Sequence, residues 1–207
     1  GSTVNGSPST NALNDGFVNT WYDQSGNSKN ATQTTDDNQP LIVEGGSLID
    51  NGKSFSGDGT TFMTMGSTVT VTDEFSVFYK CDLSARSTII GPSSGTAPRI
   101  EHVSSSFIRF ADGQNNDYTS ISDVFSDAVF SLVRESNDDQ PLYINGTLKQ
   151  TLSNPTPSSL SFRKLFATNI TAQLNGNFSE FIIYDSDLGD TTREALEDNM
   201  KSYYEIS

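Results

Sequence analysis

Hydrophobic and polar positions alternate through short stretches of this chain. The clearest case is residues 74–83. Phe75, Val77, Tyr79, Cys81 and Leu83 fall on one side, and Ser76, Phe78, Lys80 and Asp82 on the other. A period of two predicts a half-buried antiparallel strand. Phe78 interrupts the polar side and predicts a further layer or a loop against it. Shorter runs predict strands at 17–22, 41–43, 88–91, 99–103, 107–110, 128–134, 142–144, 147–152, 164–168 and 177–184, and 47–59 reads as strand, turn, strand, turn ahead of the apolar run 62–65. In 128–134 both sides are apolar, so both faces are expected to be covered. Residues 27–38, 112–117 and 154–157 read as polar loops.

Turn chemistry separates these runs. Asn51-Gly52 and Asn145-Gly146 are hairpin signals, because both residue types accept positive φ. Gly45-Gly46 breaks the strand before it. The pattern changes only at the end. Thr191-Thr192-Arg193-Glu194 fits a capping box, and Leu196, Met200 and Tyr203 or Tyr204 recur at helical spacing. Many short strands with regular turns predict an all-β fold. The expected architecture is a two-sheet antiparallel jelly-roll sandwich with a short C-terminal helix. Trp21, the single tryptophan, is expected to anchor its core. The turn after it, Asp23 to Asn27, is pinned by its own side chains.

Composition narrows the picture. The chain has 207 residues, room for one large β domain. Residues 1–16 read as a cloning scar (Gly1-Ser2) and a linker, and 17–207 as the domain; the whole reads as a piece of a longer protein. The net charge of −14 argues against nucleic acid and anionic membranes, whose phosphates need Lys and Arg. No run is long enough to insert into a membrane. Cys81 is alone and can form no internal disulfide.

The run Trp21-Tyr22-Asp23-Gln24-Ser25-Gly26-Asn27, with Asn30-Ala31-Thr32-Gln33 and Gln39-Pro40, resembles the first strands of concanavalin A-like, laminin-G-like jelly rolls. Phe55-Ser56-Gly57-Asp58-Gly59, Tyr143-Ile144-Asn145-Gly146 and Gly176 to Tyr184 resemble that family's later turns and last strand. The first run is also similar to the catalytic domain of alpha-L-arabinofuranosidase B and to domains of bacteriophage tail and fibre proteins. The resemblance implies a non-catalytic attachment module binding a glycan or cell-surface polysaccharide. Its setting would be extracellular or on a virion surface, in a phage fibre or bacterial surface protein, with a homo-oligomer built through the parent protein. The alternatives are a glycoside hydrolase of arabinofuranosidase type and a structural spacer or oligomerisation domain.

Candidate chemistry follows. Arg99, His102, Arg109 and Tyr118 are expected to line a ligand groove, with Tyr79 and Phe107 as further stacking candidates. Ca²⁺ prefers carboxylate and carbonyl oxygens, and related jelly rolls often carry it; Asp23, Asn27, Asp58, Asp112 and Asp117 are the candidate ligands. Glycoside hydrolysis needs two carboxylates flanking the scissile bond; Glu101, Asp112 and Glu180 are the candidates. No Gly-x-Ser-x-Gly elbow is present.

Overall fold

A computed structural model describes residues 14–95, 98–111, 115–153, 155, 159–168 and 172–206. The chain opens with β1 (Gly16–Phe17), β2 (Thr20–Trp21), β3 (Ala31–Thr32), β4 (Leu41–Glu44) and β5 (Ser47–Leu48). The longer β6 (Phe55–Thr61), β7 (Met63–Thr72) and β8 (Phe75–Leu83) follow, then β9 (Ser87–Gly91). Next come β10 (Arg99–Ser104), β11 (Phe107–Ala111), β12 (Asn115–Thr119), β13 (Ala128–Arg134), β14 (Gln140–Ile144) and β15 (Thr147–Leu152). The chain closes with β16 (Ser159–Leu165), β17 (Leu174–Tyr184) and the helix α1 (Gly189–Tyr204).

The strands form two antiparallel sheets and no barrel. The nine-stranded sheet runs β1-β4-β6-β17-β8-β13-β14-β15, with β5 paired to β4. The eight-stranded sheet runs β12-β11-β10-β9-β16-β7-β3-β2. This is the expected two-sheet jelly-roll sandwich with one C-terminal helix. Among the described residues no helix is long and apolar enough to cross a membrane.

The alternation on β8 explains the layering. Phe75, Val77, Tyr79, Cys81 and Leu83 enter the core between the sheets. Tyr79 stacks on Phe130 of β13 at 5.2 Å and on Phe178 of β17 at 6.3 Å. Phe78 points the other way and is buried with Val129 and Met200, under α1. The strand is therefore buried on both faces rather than half-buried, and the helix is the layer that Phe78 foreshadows. Burying one such ring contributes roughly 1.5–3 kcal/mol.

Trp21 packs at the inner face beside Phe55 (5.2 Å) and Phe178 (6.1 Å) of the nine-stranded sheet. It also stacks on Phe166, just past β16 of the other sheet, at 6.4 Å. Trp21 thus bridges the two layers, as an anchor should. Asp23 pins the following turn through the N–H groups of Ser25 (2.8 Å) and Lys29 (2.9 Å). Those bonds draw its carboxyl below the usual range, that from Lys29 most strongly.

Five local expectations need correction. The polar loop expected at 112–117 is strand from Asn115 onward, paired with β11. Asn51-Gly52 does not join two hairpin strands; it ends a left-handed turn, with Asp50 and Asn51 both at positive φ. The hairpin lies earlier, where Gly45-Gly46 joins β4 to β5. Ala31-Thr32 is a strand rather than loop, because Ala31 is buried against Met65 of β7. Thr191 does not cap α1: the helix begins at Gly189, whose N–H donates to the Asp187 carboxylate at 2.8 Å. Ordered contacts also begin before residue 17. The Asn14 carbonyl and Asp15 carboxylate accept from the Gly46 and Gly45 N–H groups. The Asn145-Gly146 hairpin stands as read, with φ of 51° and 80°.

Candidate functional site

Strands β9 to β12 carry a charged rung on the outer face of the eight-stranded sheet. Alternation along β10 sends Ile100 and His102 inward and Arg99 and Glu101 outward. Register places Glu101 between Thr88 of β9 and Arg109 of β11, and Arg109 beside Asp117 of β12.

Glu101 is only 1% exposed on this face, because two guanidinium groups cover it. Arg86, from the β8–β9 connection, donates through Nε to Oε1 at 2.6 Å. Arg99 donates through Nε to Oε2 at 2.9 Å. Arg109 and Asp117 form a two-point pair, Nε to Oδ1 at 2.8 Å and Nη2 to Oδ2 at 3.1 Å. That bonding holds the Arg109 guanidinium above its ordinary pKa. Arg109 also lies over the half-buried Phe107 ring, 5.0 Å from its centre. The result is a row of fixed planar donors and acceptors beside an aromatic surface.

Two of the expected ligand residues are elsewhere. His102 is fully buried in the core. Its Nδ1 donates to the Val124 carbonyl at 2.6 Å, which leaves Nε2 to accept from the Tyr79 hydroxyl at 2.9 Å. Burial lowers its pKa to about 4, against the opposing pull of the Val124 bond. Tyr118 is also fully buried and donates to the Gln140 carbonyl at 3.0 Å. Neither faces a groove, and neither does Tyr79. Arg99 and Arg109 do share the outer face, joined by Phe107. Arg86 has no signal in the sequence, because only the pairing of β9 with β10 brings it to Glu101.

The metal candidates do not converge. Asp23 and Asn27 follow β2, at one edge of the eight-stranded sheet, while Asp117 sits on β12 at the other. Asp58 lies on β6 in the opposite sheet and holds its own turn through Thr60 and Thr61. Asp112 falls outside the described residues. Ca²⁺ takes six to eight oxygens from one site, and among the described residues no group of three acidic, His or Cys side chains forms one. As a set these residues do not fit one Ca²⁺.

The carboxylates are also separated. Glu180 lies on the outer face of the nine-stranded sheet, opposite Lys80 and bonded to Tyr204 of α1. Burial raises its pKa. Glu101 lies outside the other sheet. Packed sheets stand about 10 Å apart, so two side chains pointing away from both sheets exceed the roughly 5–9.5 Å that either hydrolytic geometry requires.

Under α1, Arg193 reaches Glu197 at 2.7 Å and stacks 3.7 Å from the centre of the Tyr143 ring. Both charges are buried, and they seat the helix on the sheet.

No family model matches the chain, and no curated protein matches it. Solved structures do. The binding domain of Paraclostridial Mosquitocidal Protein 1 is 14% identical with a TM-score of 0.55, over 86% of this chain and 49% of that one. The receptor binding domain of botulinum neurotoxin mosaic serotype C/D is 13% identical, with a TM-score of 0.52 over 77% and 48%. The botulinum neurotoxin serotype G binding domain is 16% identical, with a TM-score of 0.51 over 72% and 43%. The chain thus spans less than half the length of each. At these identities the likeness is one of fold.

Proposed function

We propose that this chain is a non-catalytic glycan-binding module that attaches a larger protein to a surface polysaccharide. The observation that carries the reading is the outer face of β10 to β12. Sugars are recognised by planar polar side chains that bond hydroxyls and by aromatic surfaces that pack on ring C–H groups. Arg86, Arg99, Arg109, Glu101 and Asp117 supply the first, fixed in place by one another. Phe107 supplies the second.

The setting is a bacteriophage fibre or a bacterial surface protein, outside the cell or on a virion. The resemblance of Trp21 to Asn27 supports it. The fold is shared with parts of domains named for binding, two of them from neurotoxins. Presentation of several copies by the parent protein would multiply a weak single-site affinity through effective concentration.

The test is a glycan array probed with the labelled chain, in buffer with and without Ca²⁺. Binding to a defined set of glycans in both buffers is expected. No binding in either would overturn the reading. Release of arabinose from a nitrophenyl substrate, abolished by changing one carboxylate, would replace it with hydrolysis.

A further inference from the structure

Resting on the glycan reading, we infer that the face of β10 to β12 selects uncharged sugars presenting neighbouring hydroxyls, and discriminates against sugars bearing a carboxylate or sulfate. The argument is one of unused hydrogen-bonding capacity. An arginine has five N–H donors and a carboxylate about four acceptor positions. Arg109 spends Nε and one N–H of Nη2 on Asp117, leaving the second N–H of Nη2 and both of Nη1. Each Asp117 oxygen accepts once from Arg109, so each keeps a second acceptor position, and the side chain is 28% exposed. Donors and acceptors therefore stand side by side on the same rung.

A hydroxyl both donates and accepts. A vicinal diol fits this edge, one oxygen accepting from Arg109 and the other donating to Asp117. An anion accepts only. It could satisfy the guanidinium group but would bring like charge against Asp117, the more open partner of the pair.

The neighbouring arginines do not reverse this. Both oxygens of Glu101 are already held, one by Arg86 and one by Arg99. Three guanidinium groups against two carboxylates leave a single positive charge on the face, while the chain carries −14. Arg86, with 44% of its side chain exposed, keeps further donors available to neutral oxygen. Phe107, backed by Arg109, offers apolar surface to a sugar's C–H face.

The experiment is calorimetric titration of the full chain with matched oligosaccharide pairs, at 50 and 500 mM NaCl. One member of each pair is neutral; the other carries a uronic or sialic acid at the same position. The neutral member is expected to bind at least ten-fold more tightly, with less than two-fold change between salts. Asp117→Asn keeps the side chain's shape and should weaken neutral binding while narrowing the discrimination, with an unchanged circular dichroism spectrum. Tighter binding of the acidic member, weakened by salt, would overturn this inference and leave the glycan reading standing. No binding of either member would overturn both. An Asp117→Asn variant that folds, binds as before and discriminates as before would remove Asp117 from the account.

Discussion

Arg109 and Asp117 face each other across β11 and β12 and are joined at two points, 2.8 and 3.1 Å. Two parallel bonds fix both planes at once. The pair is partly open to water, so it contributes little to stability, about 0–1 kcal/mol. Its rigidity matters more for recognition. Arg109→Ala should weaken glycan affinity at least ten-fold, about 1.4 kcal/mol, and hardly change the unfolding midpoint. Titration calorimetry and urea melts of the same sample separate the two effects.

The buried Tyr79–His102–Val124 chain sets an acid limit on stability. His102 titrates near 4 in the fold against 6.5 when exposed. The unfolded state therefore takes up the proton first. The stabilisation is fully present above pH 6.5 and is lost as pH falls toward 4. That gap is worth about 3 kcal/mol. Acidic groups add their own dependence, so the comparison is with His102→Gln. Urea unfolding at pH 7 and pH 4 should show a smaller loss in the variant; equal losses would remove His102 as the cause.

The helix is seated by charge as well as by Met200. Arg193 and Glu197 are both buried, 2.7 Å apart, beneath α1. Arg193→Met strands the Glu197 carboxylate and should cost about 3–5 kcal/mol. Adding Glu197→Met should recover most of that, because the lone charge is gone. If the single change costs under about 1 kcal/mol, the pair does not hold the helix.

Two glycines separate close approach from open space. A Cβ on Gly91 would strike the Ala167 carbonyl, whereas one on Gly66 meets nothing nearer than the Asn30 carbonyl at 4.0 Å. Gly91→Ala should cost about 1–3 kcal/mol or more. Gly66→Ala should stay within about 0.5 kcal/mol. Chemical denaturation of both variants tests the contrast.

The fold was legible where alternation and turn residues agreed. β8, β13 and the Asn145-Gly146 hairpin are visible as patterns, and Phe78 announces the helix layer. The capping box misleads because Asp187 already holds the helix start three residues earlier than a Thr191 cap would set it. Two-residue strands such as β3 carry too little pattern to be seen.

The site was legible only in part. Arg99 and His102 are three apart on one strand, so they face opposite sides. Strand parity alone separates the outward Arg99 and Glu101 from the inward His102. Tyr118 follows Asp117 and is turned inward by the same rule. Arg86 is different: it lies outside both strands, and its place beside Glu101 depends on the register of β9 against β10, which alternation within one strand does not encode.

The most direct measurement is amide chemical-shift mapping of the labelled chain as an array-selected glycan is added. Perturbations are expected to cluster on Arg86, Arg99, Glu101, Phe107, Arg109 and Asp117. Shifts confined to the Asp23–Asn27 turn or to α1, with β10 to β12 unmoved, would contradict the account.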